Sequence, residues 1–541
     1  METRRTIYVE AAGLDEAERI ALVALQGLAN RPSTPLRMGD APRLFVVHHA
    51  ADDHWLNWYA GYGFAPEKRT FDDAVAAFAD RINGLVIWDE KLRDTIPLAI
   101  SIAGARDLLP VSENLAERFG SLKVAEDLRG RWTDRVAAYQ WAYEHVWPQC
   151  SRDILGSFDV RDEPGSFGNL IADFVVARRG FASGLSVSTD LPDEAALWER
   201  FMSETDDLAL AVGWHTHRDI EATYVDACSR HGMIQICSSG GSNMSFHQHV
   251  RASAPFKQDH ADESTVELRE AVYVTFSQTD GDALHSMCNL QQGQWASPLR
   301  GSIPMGWWIA PKLAHDLGPA LLEYYYRTRS ANDYLVAGPS GAGYNYPSVM
   351  PNLDAYLRTT ADYMRLTDTR TIHVINRVVK RIPGDRVVHR TASGDIPLPI
   401  EGGGLNEELK NQYGADWLDE AVAEKYARAL PEAIGFFQGF ETVVGEEDRF
   451  PQGKPWIPTK VMVDTPEQGL RDIERFLEGR PRPAFVSATA NMCGPMNHNM
   501  FEKLLVLTRE LRARGYIIVR PDEFLILCDK ARRLRGSGQS A

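Results

Sequence analysis

The first half of the chain alternates short apolar-rich runs with stretches of helical periodicity. Leu44–Val47, Leu85–Trp88 and Ile100–Ala103 have strand length and composition, while Asp15–Leu28, Phe71–Ile82 and Arg135–Val146 repeat apolar residues at helical spacing. Leu208–Trp214 and Met233–Cys237 follow, separated by a helical Asp219–Arg230. Such alternation predicts βαβ units and a mainly parallel sheet. Val250–Glu267 is polar and has no apolar periodicity, which marks a linker.

Beyond that linker the alternation resumes more strongly. Ala271–Phe276, Ile303–Ile309, Asp333–Ala337, Thr371–Ile375, Ala433–Phe437, Ala484–Ala488 and Tyr516–Val519 are predicted strands, and Ile457–Val463 is either an eighth strand or an extended loop. Helical stretches fill most gaps: Ala314–Arg327, Leu353–Leu366, Leu418–Ala429, Pro466–Leu477 and Met500–Arg514. The expected fold class is α/β. An N-terminal α/β domain over 1–260 precedes a C-terminal (β/α) barrel-like catalytic domain of seven or eight strands over 265–541. An open doubly wound sheet fits the same pattern less economically. Gly384–Trp417 and Thr442–Pro458 interrupt the rhythm as long polar segments, and both are candidate lids or tolerated surface insertions.

Composition narrows the picture. A chain of 541 residues with 44% hydrophobic and 24% charged side chains is globular, which excludes disorder and coiled coil for the bulk. The net charge of −16 repels phosphate backbones and argues against a nucleic-acid partner. Six Cys at 150, 228, 237, 288, 493 and 528 form no Cys-x-x-Cys pair, as in a reducing compartment. The N-terminus lacks the apolar stretch of a signal peptide, and no window reaches the length of a membrane span. A soluble cytoplasmic protein with no membrane partner is therefore expected. Nothing in the pattern speaks to oligomeric state.

Candidate chemistry lies just past the predicted strands of the second half, where a parallel α/β fold opens its ligand crevice. After Ala271–Phe276 comes Asp280-Gly281-Asp282 with His285 behind it. A glycine between two carboxylates permits a sharp turn, so both can face one space for acid–base work or to hold a divalent cation. The bland alternative is an Asp-Gly turn capping the next helix. Trp307 and Trp308 are adjacent on a strand and point to opposite faces, one a candidate sugar platform, although two core indoles explain them as well. Gly338-Pro339-Ser340-Gly341-Ala342-Gly343-Tyr344-Asn345-Tyr346-Pro347 is glycine-rich, but no helix start follows to cradle a phosphate and no Walker lysine is present. What remains is a rigid loop carrying two phenols and an amide, suited to a polyol.

That loop contains Gly-x-Gly-Tyr-x-Tyr-Pro over 341–347, and here the chain resembles the GxGYxYP glycoside hydrolase family. Gly338–Ser340, Asp280–Asp282 and Pro304–Trp307 are similar to that family too, as are Gly27–Arg31 and Ser242–Phe246 in the first half. The resemblance runs from about residue 5 to about residue 525. It implies a two-domain protein whose C-terminal domain is barrel-like and directed at carbohydrate. Ala283 departs from the Asn that many members carry after the second Asp. Many relatives are exported, whereas this chain shows no export signal.

Cleaving a glycosidic bond normally takes two carboxyl groups, one as acid and one as nucleophile or base. Asp280 and Asp282 are the nominated catalytic pair, with Glu441, after Ala433–Phe437, as reserve partner. His285, Trp307, Trp308, Tyr344, Asn345, Tyr346 and Asn376 are the nominated substrate-binding residues. Gln438, Asn491, Asn497 and His498 are further polar residues near strand ends, and Asp522 and Glu523 cap the last helix. No cofactor is expected, apart from a divalent cation as an alternative at Asp280 and Asp282. His215, His217, His231, His247 and His249 are expected to be polar loop histidines without a metal, with a shared metal site or contacts to the second domain's pocket as the alternatives. Two other functions stay open. One is a metal-dependent carbohydrate deacetylase, for which His285 and Asn289 are a poor ligand pair; the other is a non-catalytic carbohydrate-binding protein.

Overall fold

The structure is a computed structural model and describes residues 4–31, 43–219, 221–376, 378–382, 386–391, 394–397, 420–440, 443, 447–490 and 495–537. Glu441, Asn491 and Cys493 lie outside the described residues, as does most of the Gly384–Trp417 segment. The chain divides into two compact units, one of 1–253 with 315–322 and one of 254–314 with 323–541.

The first unit carries three small parallel sheets. β1 (Arg4–Glu10), β2 (Leu44–Val47) and β3 (Phe64–Lys68) pair in the order β2-β1-β3. β4 (Gly84–Ile87), β5 (Leu108–Val111) and β6 (Val124–Asp127) pair as β5-β4-β6. β7 (Ile154–Ser157), β8 (Phe181–Ser183), β9 (Leu210–Gly213) and β10 (Ile234–Gln235) pair as β10-β9-β7-β8. The helix Glu16–Asn30 starts at a capping box, in which Glu18 N donates to Asp15 Oδ1 and Asp15 N donates to Glu18 Oε2. It is buried from Ile20 to Asn30 and packs on the helix Ala172–Ala177. Gly27 makes that crossing close: a Cβ there would sit 2.4 Å from Asp173 O.

One strand expectation needs correction. Ile100–Ala103 lies inside the helix Thr95–Arg106. That helix is buried on all sides from Thr95 to Gly104, so it shows no amphipathic stripe, and its short apolar-rich pieces mimic strands.

The second unit is built on a curled, barrel-like parallel sheet. β11 (Val272–Gln278), β12 (Met305–Ile309), β13 (Asp333–Ala337) and β14 (Thr371–Val374) enter it in chain order. β15 (Val378–Ile382), β16 (Arg386–Thr391) and β17 (Gly394–Pro397) then form a separate antiparallel sheet, the last two strands falling in the segment Gly384–Trp417 that reads in sequence as long and polar. β18 (Gly435–Gln438), β19 (Trp456–Pro458), β20 (Val461–Val463), β21 (Ala484–Ala490) and β22 (Ile517–Ile518) return to the large sheet. Eight strands run in the order β19-β18-β14-β13-β12-β11-β21-β20, and β22 pairs with β11 off that path. The two end strands are separated only by Thr459 and Lys460. The segment Ile457–Val463 is thus one strand broken in two, and the sheet curls until its edges are consecutive in the chain.

The enclosed face is aromatic. His373 lies between Trp308 and Phe437, with ring centroids 4.7 Å away on each side. Phe524, from the last helix (Pro521–Ser537), lies 6.0 Å from Phe437 and 5.7 Å from Phe485. Burial holds the His373 imidazole neutral, its pKa pushed down to about 3. Gly338 makes room for Trp308, since a Cβ there would lie 2.8 Å from the indole.

Candidate active site

β11 ends at Gln278, and the next residues build the mouth of the sheet. Thr279 N donates to Ala490 O at the end of β21, and Thr279 Oγ1 donates to Asp280 Oδ2 at 2.5 Å. The sharp turn is at Asp280, whose φ of 63° is left-handed. Gly281 has another role: its Cα approaches β12 so closely that a Cβ would fall 2.2 Å from Trp308 O. Clearance, rather than the turn, demands the glycine between the carboxylates. Asp282 is 8% exposed, while Asp280 and His285 are partly exposed. Burial lowers the pKa of His285, favouring the neutral ring.

Behind this loop lies a feature that sequence reasoning missed. Leu290, Gln291 and Gln292 all have left-handed φ, at 50°, 47° and 52°, and Gly293 follows at 81°. Consecutive left-handed residues cost about 1–2 kcal/mol each, so the fold must hold them in place. Gln291 Nε2 donates to Trp308 O at 3.3 Å. Gln292 Oε1 accepts from Asn497 Nδ2 at 3.0 Å, and Gln294 Nε2 donates to Asn497 O at 2.5 Å. The strained turn therefore ties the end of β12 to the segment after β21. Glutamines give no periodic or motif signal; only the three-residue run of Gln291-Gln292-Gly293 hints at a turn.

The two tryptophans part company as alternation requires. Trp307 is fully buried, donates from Nε1 to Asp333 Oδ1 at 2.9 Å, and packs on Trp295 with centroids 4.9 Å apart. It fills the wall of the barrel. Trp308 belongs to the enclosed aromatic face described above.

The Gly-rich loop is folded inward. Ser340 is left-handed at φ 63°, and its Oγ donates to the carbonyls of Asn345 and Ile375 at 2.7 and 3.0 Å. Tyr426 OH donates to Ser340 O at 2.8 Å. Gly341 takes φ 119°, and a Cβ there would meet Thr360 Cγ2 at 2.4 Å. Tyr356 OH donates to Gly343 O at 2.7 Å. Tyr344, Asn345 and Tyr346 are all buried, with the two phenol rings edge to face at 6.0 Å. Asn376 receives Ser348 N at Oδ1, 2.9 Å, and donates to Ser348 Oγ at 2.7 Å, so its amide pins the turn after the signature. Glu441 lies outside the described residues. Among the described residues, no group of three or more His, Cys, Asp or Glu is placed to share a metal ion.

With this geometry in place, comparison with known proteins is informative. Residues 270–529 match the family described as "GxGYxYP putative glycoside hydrolase C-terminal domain". Residues 82–151 match the second domain of its N-terminal region, and residues 160–249 match its third domain. The chain belongs to the GxGYxYP family. Its fold is shared by a crystal structure from Bacteroides thetaiotaomicron VPI-5482 whose title describes a "putative hydrolase". That structure superposes with a TM-score of 0.77 at 20% identity, over 98% of this chain and 95% of the other. None of the curated proteins matches. The signature's glycines and Asn376 secure backbone beyond the ends of β13 and β14, where a barrel mouth needs rigid support. No helix among the described residues is long and apolar enough to cross a membrane.

Proposed function

We propose that this member of the GxGYxYP family is a glycoside hydrolase whose reaction centres on Asp280 and Asp282. The observation that carries the proposal is the placement of two carboxylates of unequal burial on a clamped loop directly after the central strand β11. Unequal surroundings are how two carboxyl groups come to divide the acid and base roles. The partly exposed Asp280 is the group that meets the glycosidic oxygen or the sugar, and the buried Asp282 is its partner. His285, partly exposed and favoured as the neutral ring, offers a hydrogen bond to a hydroxyl. The segment containing Glu441 supplies the reserve carboxylate. The family description and the hydrolase title of the structural neighbour support the hydrolase class.

The test is hydrolysis of a panel of aryl glycosides and natural oligosaccharides by the full chain. On any substrate that turns over, Asp280→Asn and Asp282→Asn should each lower kcat by about 10²–10⁴-fold with melting temperatures near wild type. Full activity in both variants would sink the assignment. Tight saccharide binding with no turnover across the panel would move the protein to the carbohydrate-binding class.

A further inference from the structure

A cavity opens in the barrel unit at the N-terminal end of β21, the end of that strand away from the Asp280 loop. Its volume is about 740 Å³, within the range of small-molecule sites. Pro483, Ala484 and Phe485 form one side, the helix Pro466–Leu477 with the turn after it a second, and the last helix a third.

Charge makes this cavity unusual in a protein of net charge −16. Among the described residues four cations line it, Lys460, Arg480, Arg532 and Arg535, against two carboxylates, Glu447 and Asp448. Lys460 Nζ is paired with Asp448 at 2.9 Å, and Arg532 is paired with Asp529 at 2.7 Å. Arg480 and Arg535 have no carboxylate within ion-pair distance among the described residues. Arg480 Nε donates to Phe476 O at 2.7 Å, and Arg535 Nη2 donates to Pro483 O at 3.2 Å. Each guanidinium is thereby oriented by a backbone carbonyl, with no carboxylate partner among the described residues. Arg480 also lies 4.1 Å over the Phe476 ring, and Arg532 lies 5.3 Å over the Phe450 ring. Planar cations held against aromatic walls, with open N–H groups, match the oxygen fork of a phosphate.

We propose that this cavity binds a phosphate monoester of a small organic molecule, its phosphate held by Arg480 and Arg535 and its body resting in the Phe450–Phe476 end. The site is separate from the proposed hydrolytic centre and does not depend on it. A sugar phosphate and a nucleoside monophosphate share the phosphate chemistry, so the experiment must tell them apart.

Isothermal titration of the full chain with glucose 6-phosphate, with AMP and with inorganic phosphate is the test. At least one of the two esters should bind saturably and more tightly than inorganic phosphate, and the tighter ester identifies the body. The double variant Arg480→Gln/Arg535→Gln should weaken that binding at least about tenfold. Both side chains are exposed, so the variant is expected to fold, and its melting curve checks this. Asp280→Asn should leave the binding unchanged. Absence of saturable binding by either ester, or unchanged binding in the folded double variant, would overturn the proposal.

Discussion

Two polar motifs, one in each unit, put the same residue types to opposite uses. In the first unit Asp52 is fully buried and accepts four hydrogen bonds: from Ser242 Oγ at 2.7 Å, Asn243 Nδ2 at 3.1 Å, His48 N at 2.9 Å and His49 N at 3.1 Å. Asn243, left-handed at φ 58°, receives Gln26 Nε2 and Val46 N at its side-chain oxygen. Two residues on, Ser245 N donates to Asp173 Oδ2, and the His247 ring is bonded to Tyr59 OH. This hub joins the β1 sheet to the helices around it. In the barrel unit, the Asp280 loop is tied through its backbone, Thr279 N to Ala490 O and Ala283 N to Asp280 O, and Asp280 and His285 keep access to solvent. A polar cluster buried and cross-bonded within the core serves folding; a loop that leaves a carboxylate and an imidazole partly exposed is available for chemistry.

The sharpest way to break this contrast is to remove the centre of the hub. Asp52→Ala strands the donors of Ser242 and Asn243 and two backbone N–H groups, and should cost on the order of 4 kcal/mol in urea denaturation. A loss below about 1 kcal/mol would mean the hub is not what holds the first unit. Gly341→Ala in the barrel unit forces an alanine to φ 119° and into Thr360, with an expected cost of about 2–3 kcal/mol. Adding Thr360→Ser, which removes the struck methyl, should restore part of it; no recovery would assign the whole effect to backbone strain.

The third prediction concerns Asp173, fully buried, whose pKa burial pushes up to about 7. Between the ordinary carboxylate range and pH 7, the unfolded chain gives up this proton while the folded chain keeps it. Stability from this group is therefore full below about pH 4 and is lost as pH rises through 7. Asp173→Asn removes that dependence, so its melting temperature should exceed wild type by several degrees at pH 8 and converge with it at pH 4. Parallel curves would rule out Asp173 as the titrating group. The smallest effect is expected at Asn376. If its amide serves the Ser348 turn, Asn376→Ala costs about 1 kcal/mol of stability. If it served the substrate instead, KM would rise with stability unchanged.

Much of the second unit was legible along the chain. Seven of its strands read as apolar runs, because a parallel strand covered on both faces is apolar throughout. Pro466–Leu477 reads from start to end, with Thr465 as cap and Pro466 at its first position. Ile100–Ala103 in the buried helix Thr95–Arg106 reads as a strand for the same reason that β11 reads correctly: complete burial erases periodicity. The antiparallel β16 and β17 lie in a segment polar enough to pass for a loop. At the site, the Asp280–Asp282 loop was visible from its carboxylates and glycine. The left-handed run at Leu290–Gln292 was not, because what holds it lies on β12 and beyond β21.

By itself, the sequence determined the alternation of strand and helix and membership of the family through the 341–347 signature. These are local properties: periodicity and turn chemistry act over a few residues. Only the tertiary structure decided that Gly281 provides clearance, that Trp307 is wall rather than platform, and that Tyr346 is buried. It also decided that Arg480 and Arg535 share a cavity at the start of β21. Those outcomes depend on what packs against each residue from distant parts of the chain, and no short window of sequence contains its own neighbours.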